Sequence, residues 1–201
     1  MSHRKLNVST LFACLLAITL PMAMSSASAG ESKLDPKVGM QFVQKQMVQM
    51  TPELQQKAKA LSPEIKQFLV HVAAKHSRKS DTLTLAQVMQ EVLADYQAMA
   101  SAITMDNGEA AAEAARRLAD HRLPRGGLLP YMPINMVNTQ DLSVLPAMEE
   151  VVEGGSLRLA EAAEKGDMIG AAEHLGNVTR GCVACHQHFR GQPGASTLLR
   201  K

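Results

Sequence analysis

Apolar positions along this chain recur at intervals of three and four residues, which is the period of helices. The longest seam is Leu85, Met89, Val92, Tyr96, Met99 and Ile103, in sustained heptad register, and Asp106-Asn107-Gly108 breaks it. A second helix over Glu109 to Leu123 is alanine-rich, with Ala111, Ala115 and Leu118 facing inward. Pro124, Gly126, Gly127, Pro130 and Pro133 then make a long loop through about Gln140. Ser143 is the expected N-cap of a third helix, with Pro146 in its first turn and a stripe of Leu145, Met148, Val152, Leu159 and Ala163. Two glycines inside that helix, Gly154 and Gly155, cost about 1 kcal/mol each relative to alanine. They mark either a kink or tolerant surface, or a close approach of backbone to a flat ligand. Gly166-Asp167 turns the chain into a last helix whose stripe is Met168, Ala171, Leu175, Val178, Cys182, Cys185 and Phe189.

Ahead of these four lie shorter helical segments. Val38 to Met50 carries Val38, Phe42, Val43, Met47 and Met50 on one side. Thr51-Pro52 and Ser62-Pro63 each place an N-cap residue before a proline at the first helical position, and Ile65, Phe68, Leu69 and Val72 form the next stripe. Ser77 to Asp81 is a polar connection. No alternating β-branched run and no hairpin signal flanked by such runs occurs. The pattern therefore predicts an all-α protein: an antiparallel four-helix bundle over residues 82–192, a helical N-terminal extension over 30–81 and a tail over 193–201.

The first residues add a compartment. His3-Arg4-Lys5 is a basic start, Leu6 to Leu20 is mainly apolar, and Ala27-Ser28-Ala29 precedes Gly30 as a small-x-small cleavage site. Residues 1–29 thus read as a signal peptide, and the mature chain as exported to the periplasm. The apolar run is too short for a membrane span, and bulky Phe12 with the apolar residues after Cys14 argues against a lipoprotein. Losing Arg4 and Lys5 reduces the 21 basic residues to 19, against 19 acidic ones. That balance gives no reason to expect nucleic acid or an anionic membrane surface as partner.

Export also removes Cys14, so the remaining cysteines are Cys182 and Cys185 of Cys182-Val183-Ala184-Cys185-His186. Cys-x-x-Cys-His is the attachment signature of c-type haem, in which both thiols bond to the porphyrin and the histidine ligates iron. At spacings of three and four the three side chains share one helix face. A thioredoxin-like pair would sit in a βαβ setting, and structural zinc would need a second ligand pair; neither context is present. A short-loop disulfide remains the plain alternative. Both cysteines fall on the core seam of the last helix, as a cofactor buried between helices requires. No nucleophile–base pairing points to an enzyme.

Four helices with Gly181-Cys182-Val183-Ala184-Cys185-His186-Gln187-His188-Phe189-Arg190 near the C-terminus, preceded by Leu159 to Asp167, resemble the class II c-type cytochromes, the cytochrome c′ family. The resemblance covers about residues 83 to 192. It implies one covalently attached haem c held by Cys182 and Cys185, with His186 as the proximal iron ligand. Arg190 matches the family's basic residue one turn later, where it meets a haem propionate or caps the helix end. The N-terminal extension is not part of the family bundle.

The family divides over the sixth iron position. One branch places a methionine there and transfers electrons; the other leaves it open to nitric oxide or carbon monoxide. Met89 stands near the distal position, and thioether ligation raises the reduction potential. A seam methionine is also ordinary core filler in a chain with 13 of them, and a slip of one turn brings Leu85 or Leu93 to the iron. The expectation is an exported mono-haem electron carrier with His186 and Met89 as axial ligands, and the alternative is a five-coordinate gas binder. Redox partner proteins and a homodimer packed through the first two bundle helices are what the resemblance implies. His71, His76, His121 and His174 read as surface or capping residues.

Overall fold

A computed structural model describes residues 35–189 and 196–200. The leader expected over 1–29, with Cys14, and Arg190 lie outside the described residues, as does part of the tail. The described chain is all-α. Helices α1 (Pro36–Gln49), α2 (Pro52–Ala60) and α3 (Pro63–Lys75) precede α4 (Leu85–Thr104) and α5 (Gly108–Ala119). After two short 3₁₀ turns come α6 (Thr139–Leu142), α7 (Leu145–Glu149), a π-helical turn over Glu150–Gly154, α8 (Gly155–Glu164) and α9 (Met168–Phe189). None of the described helices is long and apolar enough to cross a membrane.

Four of these helices close a ring: α4 packs on α5, α5 on α8, α8 on α9, and α9 on α4. Tight turns at 105–107 and 165–167 make α4–α5 and α8–α9 antiparallel pairs. The starts of α5 and α9 meet the end of α8, with Gly108 against the Ala163 carbonyl and the Met168 sulfur. The ring encloses Met99, Ala111, Ala115, Leu118, Leu159, Ala160 and Ala171. Each fully buried leucine there contributes roughly 1.5–3 kcal/mol by leaving water. The alanines let α5 approach α4 and α8 closely, so its alanine-rich face is spent inside the monomer.

On α4 the expected seam holds from Val92 to Ile103, but further back burial passes from Met89 to Val88. The cause is helical drift. Val88 lies eleven residues before Met99, three turns and almost the same face, whereas Met89 lies about 80° away. The α5 helix ends at Ala119 rather than Leu123, because the Asp120 carboxylate accepts hydrogen bonds from the Ser77 amide and hydroxyl.

The third bundle helix differs most from expectation. Asn138 caps α6, and Ser143 closes that helix by donating to the Gln140 carbonyl instead of starting the next. Gly154 and Gly155 end the π-turn. A Cβ added at Gly155 would stand 3.2 Å from Val178 on α9, so the close approach is to a helix.

The N-terminal helices have a core of their own. Thr51-Pro52 and Ser62-Pro63 start α2 and α3 as expected, and the Ser62 hydroxyl accepts from the Ile65 amide. In α1 the buried residues are Gly39 and Gln46, while Val38 is exposed. Met50, Leu54, Leu61 and Ile65 pack with Leu129, Met132, Leu142 and Leu145 of the α5–α7 connection and with Phe189 of α9. That connection, expected to be a loop, is therefore a wall of the second core.

Gly108→Ala tests the close helix crossing. Helix propensity alone favours alanine by about 1 kcal/mol. The added methyl, however, would sit 2.4 Å from the Ala163 carbonyl oxygen. The expected outcome in urea unfolding is a net loss of roughly 1–3 kcal/mol. A gain in stability would show that the crossing is looser than these distances.

Candidate functional site

The rotation of α9 about its axis is set by a glycine. A Cβ at Gly181 would stand 2.8 Å from both Val151 and Val152, so α9 lies against the π-turn at that level. Each following residue turns by about 100°. Cys182, Cys185 and Phe189 consequently face the interior, and His186 faces the flank towards α4. Cys185 is half-buried against the Met50–Leu54–Phe189 core, Phe189 is buried, and Cys182 is half-buried. The two thiols are free rather than joined in a disulfide. Burial pushes the Cys182 thiol up, and burial together with the neighbouring Cys182 pushes Cys185 up.

A single side-chain hydrogen bond registers α9 against α4. The Tyr96 hydroxyl lies 2.8 Å from Oγ1 of Thr179, which itself donates to the Leu175 carbonyl. Met89 precedes Tyr96 by seven residues, and His186 follows Thr179 by seven. Because the helices run antiparallel, Met89 and His186 sit two turns beyond this bond, towards the same end of the bundle. Seven residues return within about 20° of the starting face, so both stand on the facing flanks. The strip between them is incompletely covered: Met89 is half-buried, Leu93 is 46% exposed and His186 is exposed. His188 points elsewhere, its ring edge-on to Phe189 with centroids 4.4 Å apart.

An open cleft of about 540 Å³ lies along the opposite side of α9, between Asn177, Arg180, Gly181 and Ala184 and the α7–π segment. Met148 and Val151 line its far wall. None of Cys182, Cys185, His186 or Met89 borders it. Of the expected site residues that are described, Cys185 packs against the N-terminal core, His186 is exposed and Met89 is half-buried on α4.

One of the histidines expected at the surface or as a helix cap is also deeply buried. His71 is exposed and His174 half-buried, but His76, although it caps α3, is completely buried. Its ring centroid lies 4.6 Å from that of His121. The signal that could have found it is weak: a lone histidine at the end of an amphipathic helix, beside polar residues that suggest solvent.

Compared with known proteins, the chain matches no family model, no curated protein and no solved structure.

A raised thiol pKa means less thiolate, hence less nucleophile, at any given pH. In reduced chain with both thiols free, iodoacetamide alkylation at pH 8, followed by mass, is expected to run several-fold slower than for a free cysteine. It should recover the ordinary rate in denaturant. Full-speed alkylation of the folded chain would contradict the burial of Cys182 and Cys185.

Proposed function

We propose that this chain is an exported single-haem c-type cytochrome that transfers one electron at a time between partner proteins, of the class II type that its last helix resembles. The observation that supports the reading is the Tyr96–Thr179 bond between antiparallel α4 and α9, from which Met89 and His186 each lie seven residues towards the same end, with Cys182 and Cys185 as free thiols. These residues fit a haem. Two unpaired thiols at the attachment spacing, an imidazole with no hydrogen-bond partner among the described residues, and a half-buried thioether opposite form a suitable donor set. Bound there, haem would supply an iron able to cycle between two oxidation states.

The chain's own residues divide the remaining work. Cys182 and Cys185 would anchor the haem covalently, and His186 and Met89 would ligate its iron. Phe189, Leu54 and their neighbours exclude water from the Cys185 side, which favours the less charged state of a buried centre. The uncovered strip at Leu93 leaves an edge through which an electron can reach a partner protein.

Protein produced with haem-attachment machinery is expected to carry the mass of one covalent haem and to lose it in Cys182→Ala/Cys185→Ala. Reduced, it should give a low-spin spectrum unaffected by carbon monoxide. Met89→Ala should convert this to a high-spin spectrum that shifts with carbon monoxide. A wild-type spectrum that already responds to carbon monoxide would replace electron transfer with gas binding. A colourless product of unchanged mass would reduce the motif to a helical stretch with two thiols.

A further inference from the structure

We infer that His76, His121 and Glu153 form a site for a divalent transition-metal ion, of which Zn²⁺ is the natural probe, and that the ion ties the N-terminal helices to the bundle. This inference stands independently of the haem reading. Nε2 of His76 lies 3.4 Å, and Nε2 of His121 3.5 Å, from the same oxygen, Oε1 of Glu153. The three ligand atoms all lie within 4.8 Å of one another. Tetrahedral zinc with bonds of about 2.0–2.1 Å spaces its ligand atoms about 3.3 Å apart, close to these separations. As direct hydrogen bonds the same contacts are long.

The tautomers point the same way. His76 Nδ1 is 3.0 Å from the Val72 carbonyl and His121 Nδ1 is 3.1 Å from the Arg122 carbonyl. A carbonyl only accepts, so each Nδ1 carries a proton and donates. In the neutral ring this leaves the Nε2 lone pair aimed at the Glu153 carboxylate. Metal-binding histidines are held in this way, by an outer hydrogen bond that fixes tautomer and ring plane.

Burial supplies the independent sign of a ligand. His76 is fully buried and its Nε2 has no hydrogen-bond partner, and Glu153, whose Oε1 faces it, is 5% exposed. Interiors seldom leave such atoms unsatisfied without an ion, a water or a function to account for them. The backbone is adapted as well. Glu153 lies in the π-turn, whose extra residue rotates the preceding segment by about 100° relative to a continuous α-helix.

Two imidazoles and one carboxylate suit zinc, cobalt, nickel or copper and offer too few oxygens for calcium or magnesium. The ligands come from the end of α3, the segment after α5 and the turn before α8, so an ion here crosslinks three distant parts of the chain. The Lys75 ammonium lies 2.9 Å from Glu153 Oε2, without hydrogen-bond geometry, and also contacts Glu149. It competes with the metal for the carboxylate.

Full-length folded protein, stripped with chelator, is dialysed against Zn²⁺ and its zinc measured by elemental analysis, with any iron counted separately. The expected result is one zinc per chain at micromolar or tighter affinity, with a raised thermal midpoint. His121→Ala and Glu153→Gln should each weaken zinc uptake by ten-fold or more while circular dichroism stays helical. His121 has an exposed edge, so His121→Ala decides the matter should Glu153→Gln unfold. Lys75→Met should bind zinc at least as tightly as wild type. Failure of the wild type to take up stoichiometric zinc, uptake unaltered by His121→Ala, or weaker binding by folded Lys75→Met would each overturn the site.

Discussion

How closely α9 can approach the segment before it governs the chemistry-bearing end of this bundle. Gly155 meets Val178, and Gly181 meets Val151 and Val152, at distances that leave no room for a larger side chain without movement. That fit fixes the rotation of α9. With Gly181 turned to the π-turn, helical geometry sends Cys182 and Cys185 inward and His186 to the flank beside α4. A larger residue at position 181 would rotate or displace the helix and separate the motif from Met89, although none of those residues itself had changed.

The two apolar cores meet different needs. The alanine-lined interior of α4, α5, α8 and α9 draws the helices close and makes a rigid frame, since small side chains leave little freedom to repack. The second core, built by α1–α3 and the α5–α7 connection, reaches α9 at Phe189, which it buries, and at one face of Cys185. Segments that look like an appendage in sequence therefore form part of the wall around the Cys-x-x-Cys-His stretch. Lys45–Asp81 and the Arg78/Arg122–Glu91 pairs decorate the surface of this junction, where exposed ion pairs add little. The buried His76–His121–Glu153 group lies deeper and joins the end of α3, the segment after α5 and the π-turn.

Much of this was legible in the chain itself. Heptad spacing located α4 and α9, Thr51-Pro52 and Ser62-Pro63 located α2 and α3, and Asp106-Asn107-Gly108 and Gly166-Asp167 located the tight turns. These are local signals, decided by how a few neighbouring residues fill one turn of backbone. The attachment spacing of Cys182, Cys185 and His186 is local for the same reason. Met89 could be named as their counterpart only through a resemblance, because nothing in a periodic stripe says which of its members faces which residue of another helix.

That pairing belongs to tertiary structure. The Tyr96–Thr179 bond joins residues 83 apart in sequence and sets the level of α4 against α9. The passage of burial from Met89 to Val88 arises because a straight helix does not keep heptad register over three turns. The π-turn that carries Glu153 packs against α9 at Gly181, and no periodicity announced it. His76 and His121 lie beside polar residues and read as surface or capping residues, and folding brings Glu153 from a third segment against both. Sequence alone located α2, α3, α4 and α9, the tight turns and the Cys182-Cys185-His186 motif, since each depends on near neighbours. Tertiary structure decided what those helices bring together, because the distances that matter there cross from one helix to another.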